Sequence, residues 1–190
     1  SRILVMGESG AGKSTLLRLI SGVIEPVSGN IYVNNLSLSS LNLNHYRSQL
    51  GLSLSDETPF EGSIKKNLVF NNKNIKDELI YEVLEIVGLT QFLKEQPKGL
   101  ETVLYPEGRQ MSYTIAKKLI LARAIIKQPK IMILEDPLDQ FNLEETVRII
   151  NYLTDVKRPW ALIVVSSKKS WRTQCNETIT LEKGEIKSIN

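Results

Sequence analysis

Ile3-Leu4-Val5-Met6-Gly7-Glu8-Ser9-Gly10-Ala11-Gly12-Lys13-Ser14-Thr15 stands near the start of the chain and decides its fold class. Four apolar residues read as a short buried strand. The next eight carry the Gly-x-x-x-x-Gly-Lys-Ser spacing of a phosphate-binding loop, and Leu16 to Ile20 predict the helix that should follow. The chemistry needs this order. Glycines let successive backbone N–H groups turn inward on an anion. The N-terminus of the following helix adds its partial positive charge. A lysine at position 13 can reach the β- and γ-phosphates, and a serine hydroxyl at position 14 can ligate Mg²⁺. Gly7, Glu8, Ser9, Gly10, Ala11, Gly12, Lys13, Ser14 and Thr15 are therefore the candidate nucleotide-binding residues, Lys13 also being a candidate catalytic one. A dinucleotide-binding turn does not fit, because Gly-x-Gly-x-x-Gly is missing and Lys13-Ser14 would be unexplained.

Composition bounds the rest. At 190 residues the chain has the length of one domain, with room for a subdomain. With 42% hydrophobic and 24% charged residues it can build a sizeable core, which excludes collagen-like and disordered classes. A net charge of +3 is too weak to argue for nucleic acid. The single cysteine, Cys175, excludes an internal disulfide framework and suits a reducing compartment. Apolar runs such as Trp160 to Val165 fall short of the roughly 18 residues a membrane span needs. Gly7 to Ser14 is too polar for the apolar segment of a signal peptide, so none is expected.

Further along, strand and helix patterns alternate. Ile31 to Val33 predicts a strand beside the turn at Asn34-Asn35. Lys76 to Val87 places Leu79, Ile80, Val83, Leu84 and Val87 at helical spacing, stopped by Gly88. Ser112 to Lys127 and Leu143 to Leu153 read as helices. Ile131 to Leu134 and Ala161 to Val165 read as buried strands. Thr178 to Leu181 and Glu185 to Ile189 form a hairpin through Lys183-Gly184. Strands apolar on both faces and separated by helices imply a parallel sheet flanked by helices. The fold class is thus α/β, a P-loop nucleoside-triphosphatase (NTPase) parallel sheet flanked by helices, with a mostly helical insertion at about 56–128 between core segments at about 1–55 and 129–190. Asn71-Asn72-Lys73-Asn74 reads as a polar loop.

A phosphate-binding loop also needs a carboxylate at the end of a neighbouring buried strand to hold Mg²⁺. Ile131-Met132-Ile133-Leu134-Glu135-Asp136 supplies two. Together with the loop they make Ser14 and Glu135 the candidate metal residues.

The order of these elements resembles the nucleotide-binding domain of ATP-binding cassette (ABC) transporters, particularly exporters, over nearly the whole chain. In that family Gly7 to Ser14 would be Walker A and Ile131 to Glu135 Walker B. Ser28-Gly29-Asn30-Ile31 resembles the Ser-Gly-x-Ile turn. Leu50-Gly51 with Gly62-Ser63-Ile64-Lys65-Lys66-Asn67-Leu68 resembles the segment from the Q-loop to the helix that contacts the membrane domain. Gly99-Leu100-Glu101-Thr102, Leu121-Ala122-Arg123-Ala124 and Gln128-Pro129-Lys130-Ile131 resemble the surroundings of the signature helix. The resemblance implies ATP and Mg²⁺, a membrane-spanning partner domain, a second ATP-binding domain packed head to tail, and a place at the cytoplasmic face of a membrane.

The departures are specific. The Q-loop glutamine falls at Ser55. Leu-Ser-Gly-Gly-Gln falls on Met111-Ser112-Tyr113-Thr114-Ile115, where only the serine remains. Asp-Glu is reversed to Glu135-Asp136, which leaves Asp136 as the candidate catalytic base. The D-loop reads Asp139-Gln140-Phe141-Asn142, and the switch histidine falls at Ser167. The lone His45 reads as a surface or turn residue. Relatives usually carry a strand pair before Walker A with an aromatic that stacks on adenine. Here Ser1 to Met6 precede the loop, so either the chain is an excised piece of a longer protein or the base is poorly held, and weak nucleotide affinity and an exposed sheet edge at this end are expected. Binding groups persist and catalytic groups are altered, so the chain is expected to bind ATP and turn it over slowly. The alternative is a silent pseudo-ATPase acting as a regulatory or heterodimer partner. A DNA-maintenance ATPase would need sustained heptads, which are missing. A GTPase would need an acidic residue in Asn72-Lys73-Asn74-Ile75. Lys168-Lys169-Ser170-Trp171-Arg172 reads as a solvated helix end with one packed tryptophan, and no nucleic-acid partner is expected.

Overall fold

The computed structural model describes residues 1–70, 72 and 74–190. The predicted polar loop at 71–74 lies partly outside them. In chain order the elements are β1 (Arg2–Met6), α1 (Lys13–Ile20), β2 (Tyr32–Val33), β3 (Leu36–Ser37), α2 (Leu43–Ser48), β4 (Leu50–Ser53), β5 (Gly62–Ser63), α3 (Ile64–Val69), α4 (Asp77–Ile86), α5 (Thr90–Lys94), β6 (Val103–Leu104), α6 (Tyr113–Ile126), β7 (Ile131–Glu135), α7 (Leu143–Thr154), β8 (Ala161–Val165), β9 (Glu177–Glu182) and β10 (Glu185–Ile189). They fall into two units.

The first unit comprises residues 1–54, 129–136 and 159–190. Its six-stranded sheet has the order β10-β9-β1-β8-β7-β4, with only the β9–β10 pair antiparallel. The parallel strands are the apolar runs of the sequence, and Leu4, Leu50, Met132, Leu134 and Val164 are fully buried among them. Below the loop, Leu17 packs with Val5, Ala11, Ile133, Val165 and Leu181. The expected open edge at the N-terminal strand is corrected. β1 is flanked on both sides, by β8 and β9, and the edges are β10 and β4. β4 pairs with β7 from Leu50 to Ser53. It had no strand signal because Gly51 and Ser53 interrupt its apolar pattern. The turn at Asn34-Asn35 joins β2 to β3, both residues having positive φ (50° and 65°), as a two-residue hairpin demands. His45 is exposed in α2.

The second unit comprises residues 55–128 and 137–158. Residues 137–158, expected with the sheet core, fall in this unit, where α7 packs on α4. Lys118 of α6 pairs with Glu145 of α7, and Arg148 donates to the Ile86 carbonyl at 3.0 Å. These cations sit at the negative end of α4, where its last carbonyls lack intrahelical partners. Asn67, fully buried in α3, bonds the backbone of Phe60 through both its amide atoms. Arg123 donates to Asn67 Oδ1 at 2.9 Å and lies over the rings of Phe60 and Phe70. Short β5 and β6 pair within this helical unit.

Candidate functional site

The loop after β1 is shaped by its glycines. Gly7 has φ 152°, and a Cβ there would lie 2.5 Å from the Leu181 carbonyl oxygen. Gly12 has φ 95° and caps α1 with no side chain, so the helix begins at Lys13 with its first N–H groups lacking intrahelical acceptors. Lys13 Nζ donates to the carbonyls of Gly7 at 2.8 Å and Glu8 at 2.7 Å. The ammonium therefore folds back across the loop it would share with a phosphate. Ala11 N–H closes the turn on the Glu8 carbonyl at 3.1 Å.

Glu135, at the end of β7 and 7% exposed, accepts a hydrogen bond from the Ser14 hydroxyl. The carboxylate comes not from the strand next to β1 but from the next one over, since β8 lies between them. Ser14 and Glu135 present the hard oxygen donors that Mg²⁺ takes, in the one-carboxylate arrangement usual when phosphates complete the shell. Among the described residues no cluster of three or more His, Cys, Asp or Glu suggests a different metal site. Asp136 adopts a left-handed backbone (φ 41°), and its N–H donates to the Val165 carbonyl at 2.8 Å. The chain thus turns sharply where the candidate base stands. Ser166 is buried and its hydroxyl accepts from Lys168 N–H at 3.2 Å. Ser167 and Thr15 are exposed.

The sheet unit brings Gly7 to Thr15, Glu135, Asp136 and Ser167 to the C-terminal ends of its parallel strands, where α/β proteins bind ligands. Ser55, Ser112, Tyr113 and Thr114 belong to the helical unit. There the Ser55 carbonyl accepts from Lys117 Nζ, and the same ammonium lies 5.5 Å from the centre of the Tyr113 ring. Ser112 caps α6 through Ile115 N–H at 3.3 Å, so this serine has a local structural use. Asn142 likewise caps α7, accepting from Glu145 N–H at 2.8 Å.

Residues outside the motifs complete the cradle. The β9–β10 turn has Lys183 at φ 51° and Gly184 at φ 85°, and Gly184 N–H donates to the Ala11 carbonyl at 3.1 Å. A cleft of about 420 Å³ lies between this hairpin and the outer face of the loop, bordered by Glu8, Glu182, Lys183 and Lys187. The hairpin was legible as a hairpin, but nothing in its sequence announces that it docks on the loop.

Sheet order, loop and strand-end carboxylate define an α/β protein of the P-loop type. The ABC transporter family profile matches residues 1–139, and the chain belongs to that family. It is 27% identical over 98% of its length to ABC transporter B family member 21 of Arabidopsis thaliana, and 28% identical over 98% to a multidrug resistance ABC transporter ATP-binding and permease protein of Lactococcus lactis. It spans 14% and 32% of those two proteins. A bacterial Atm1-family ABC exporter solved with ATP bound superposes on the whole chain with a TM-score of 0.90 at 20% identity, the chain covering 33% of it. That likeness carries the fold.

Proposed function

We propose that the chain is the ATP-binding domain of an exporter-type transporter, at the cytoplasmic face of a membrane, that holds Mg-ATP and hydrolyses it slowly. One observation carries this reading: the Lys13 ammonium and the Ser14–Glu135 pair converge on a glycine-shaped loop opening a helix. Lys13 would leave the Gly7 and Glu8 carbonyls for phosphate oxygens, and the free N–H groups of the loop and helix would hold the rest of the anion. Ser14 and Glu135 would hold Mg²⁺, which neutralises charge on the phosphates when bound.

Slow turnover follows from the groups around the cradle. Asp136 is one methylene shorter than the glutamate of the resemblance and stands on left-handed backbone, so a water-activating carboxylate reaches less far. Ser167 has no imidazole to offer a γ-phosphate, and losing one such stabiliser typically lowers a rate about 10²–10³-fold. Tyr113 and Thr114 put side chains where glycines would let backbone approach a partner domain's nucleotide. The last point also supports a heterodimer or regulatory role beside a membrane-spanning domain, with turnover silent. The test is an ATP-binding titration beside a hydrolysis assay on wild type and Lys13→Ala. Binding that Lys13→Ala removes, with turnover far below that of an intact ABC domain, is the expected result. Brisk hydrolysis dependent on Lys13 would refute the slow-turnover reading, and no binding would refute the site.

A further inference from the structure

Gly12 lies between two peptide planes that different elements hold. Its own carbonyl accepts from Leu16 N–H at 2.9 Å, so α1 fixes the plane that follows it. The plane before it, Ala11–Gly12, lies outside the helix. Glycine takes φ of either sign, so Gly12, at φ 95°, leaves that plane free to turn over unless something else holds it. The hold is on the Ala11 carbonyl, which accepts from Gly184 N–H in the β9–β10 turn at 3.1 Å. A trans peptide is planar, with its N–H and C=O on opposite sides, and the described residues contain no cis bond. With the Ala11 carbonyl turned to the hairpin, the Gly12 N–H points away from it, and no acceptor among the described residues meets that N–H.

The hairpin is anchored where it can do this. β9 pairs in parallel with β1 as far as Thr180 beside Met6, so the turn that ends β9 reaches over the loop that leaves β1. The two backbones are close at two points: a Cβ on Gly7 would lie 2.5 Å from the Leu181 carbonyl oxygen, and one on Gly12 would lie 3.6 Å from Gly184 Cα. We infer that Gly184 is a positioning residue for nucleoside triphosphate binding: its N–H holds the Ala11–Gly12 plane so that the Gly12 N–H is already set for a phosphate oxygen. A donor fixed in its bound orientation binds more tightly than one that must first turn. The inference rests on the ATP-binding reading above and concerns a residue outside the motifs of the family resemblance.

The donor can be removed without adding a side chain. Cys175 is the single cysteine, so ligation at that residue joins a thioester of residues 1–174 to a synthetic peptide from Cys175 to Asn190 in which glycolate replaces Gly184, an ester oxygen standing where the N–H was. Mg-ATP is titrated into this full chain, into wild type ligated in the same way, and into Gly184→Asn and Gly184→Ala, at a temperature where thermal unfolding shows each to be folded. A Cβ at 184 meets nothing within 4 Å, so the two side chains differ in conformation: asparagine accepts the φ of 85° that alanine resists. Expected are about three- to tenfold weaker binding for the ester, the range of one lost hydrogen bond, wild-type affinity for Gly184→Asn, and an affinity between the two for Gly184→Ala. A bond that served only the hairpin would lower the melting midpoint of the ester and leave its dissociation constant unmoved. That result overturns the inference while the ATP site stands, and so does a Gly184→Asn chain that binds as weakly as the ester. Should the ester not fold, the two side-chain variants decide, and equal affinities for asparagine and alanine overturn the inference. If the wild type does not bind ATP, the underlying reading fails and takes the inference with it.

Discussion

At the scale of single residues, Glu135 and Asp136 are neighbours in sequence with different settings. Glu135 reaches the Ser14 hydroxyl from the end of β7, while Asp136 is turned onto left-handed backbone one residue later. On the proposed reading, lengthening the second carboxylate and supplying an imidazole should raise turnover with little change in affinity. Asp136→Glu combined with Ser167→His is expected to speed single-turnover hydrolysis about tenfold or more over wild type. An unchanged rate would overturn Asp136 and Ser167 as the cause of slow turnover. Cys175 gives a residue-scale test of packing. Burial raises its thiol from 9.0 to about 11. The folded value lies above the unfolded one, so the contribution to stability is intact below about pH 9 and is lost as pH rises from 9 towards 11. Alkylation at pH 8 should accordingly be roughly a hundredfold slower in the folded chain than in denaturant, since the thiolate is the reacting species.

Among elements, what the sequence made legible depended on whether an element's own residues carry its reason. β7 and β8 are short runs of consecutive apolar residues because both faces are covered. α4 shows its buried face at helical spacing and ends at Ile86, two residues before Gly88. The loop from Gly7 to Ser14 carries its chemistry in its residue types. By contrast, β4 is a strand because β7 offers it a partner, and Gly51 and Ser53 hide it. Lys117 carries no sign in its own sequence that it is buried, yet its ammonium sits on the Ser55 carbonyl. Lys118 is likewise concealed: only the fold of α7 brings Glu145 to it. That pair, 8% and 16% exposed, yields a prediction for the helical unit. Lys118→Met strands a buried carboxylate between α6 and the end of α4 and should cost about 3 kcal/mol in denaturant unfolding. Gly88→Ala should also destabilise, because its Cβ would stand 2.7 Å from Glu145 Oε1 at φ 73°. A cost within about 0.5 kcal/mol for Lys118→Met, the range of ordinary surface changes, would show that the pair is not held as described.

For the whole molecule, a ligand that binds only the folded chain must stabilise it. Every residue proposed to touch the phosphates lies in the sheet unit, on the loop after β1 or at the end of β7. In the unfolded chain residues 13, 14 and 135 have no fixed geometry and cannot form the cradle. Mg-ATP at a hundredfold its dissociation constant should then add about 2.7 kcal/mol. A chain of this length gains roughly 2–4 °C in Tm per kcal/mol, so the midpoint should rise by about 5–11 °C. The shift should vanish in Lys13→Ala, which loses the charge that bridges Gly7 and Glu8. Hydrogen exchange with and without Mg-ATP should place the new protection on the amides of Gly10 and of Gly12 to Thr15, because those groups lack intrahelical acceptors and gain phosphate oxygens, whereas Ala11 N–H already bonds the Glu8 carbonyl. A rise in Tm that survives Lys13→Ala, or protection confined to segments far from the loop, would mean that the nucleotide is held somewhere other than at the start of α1.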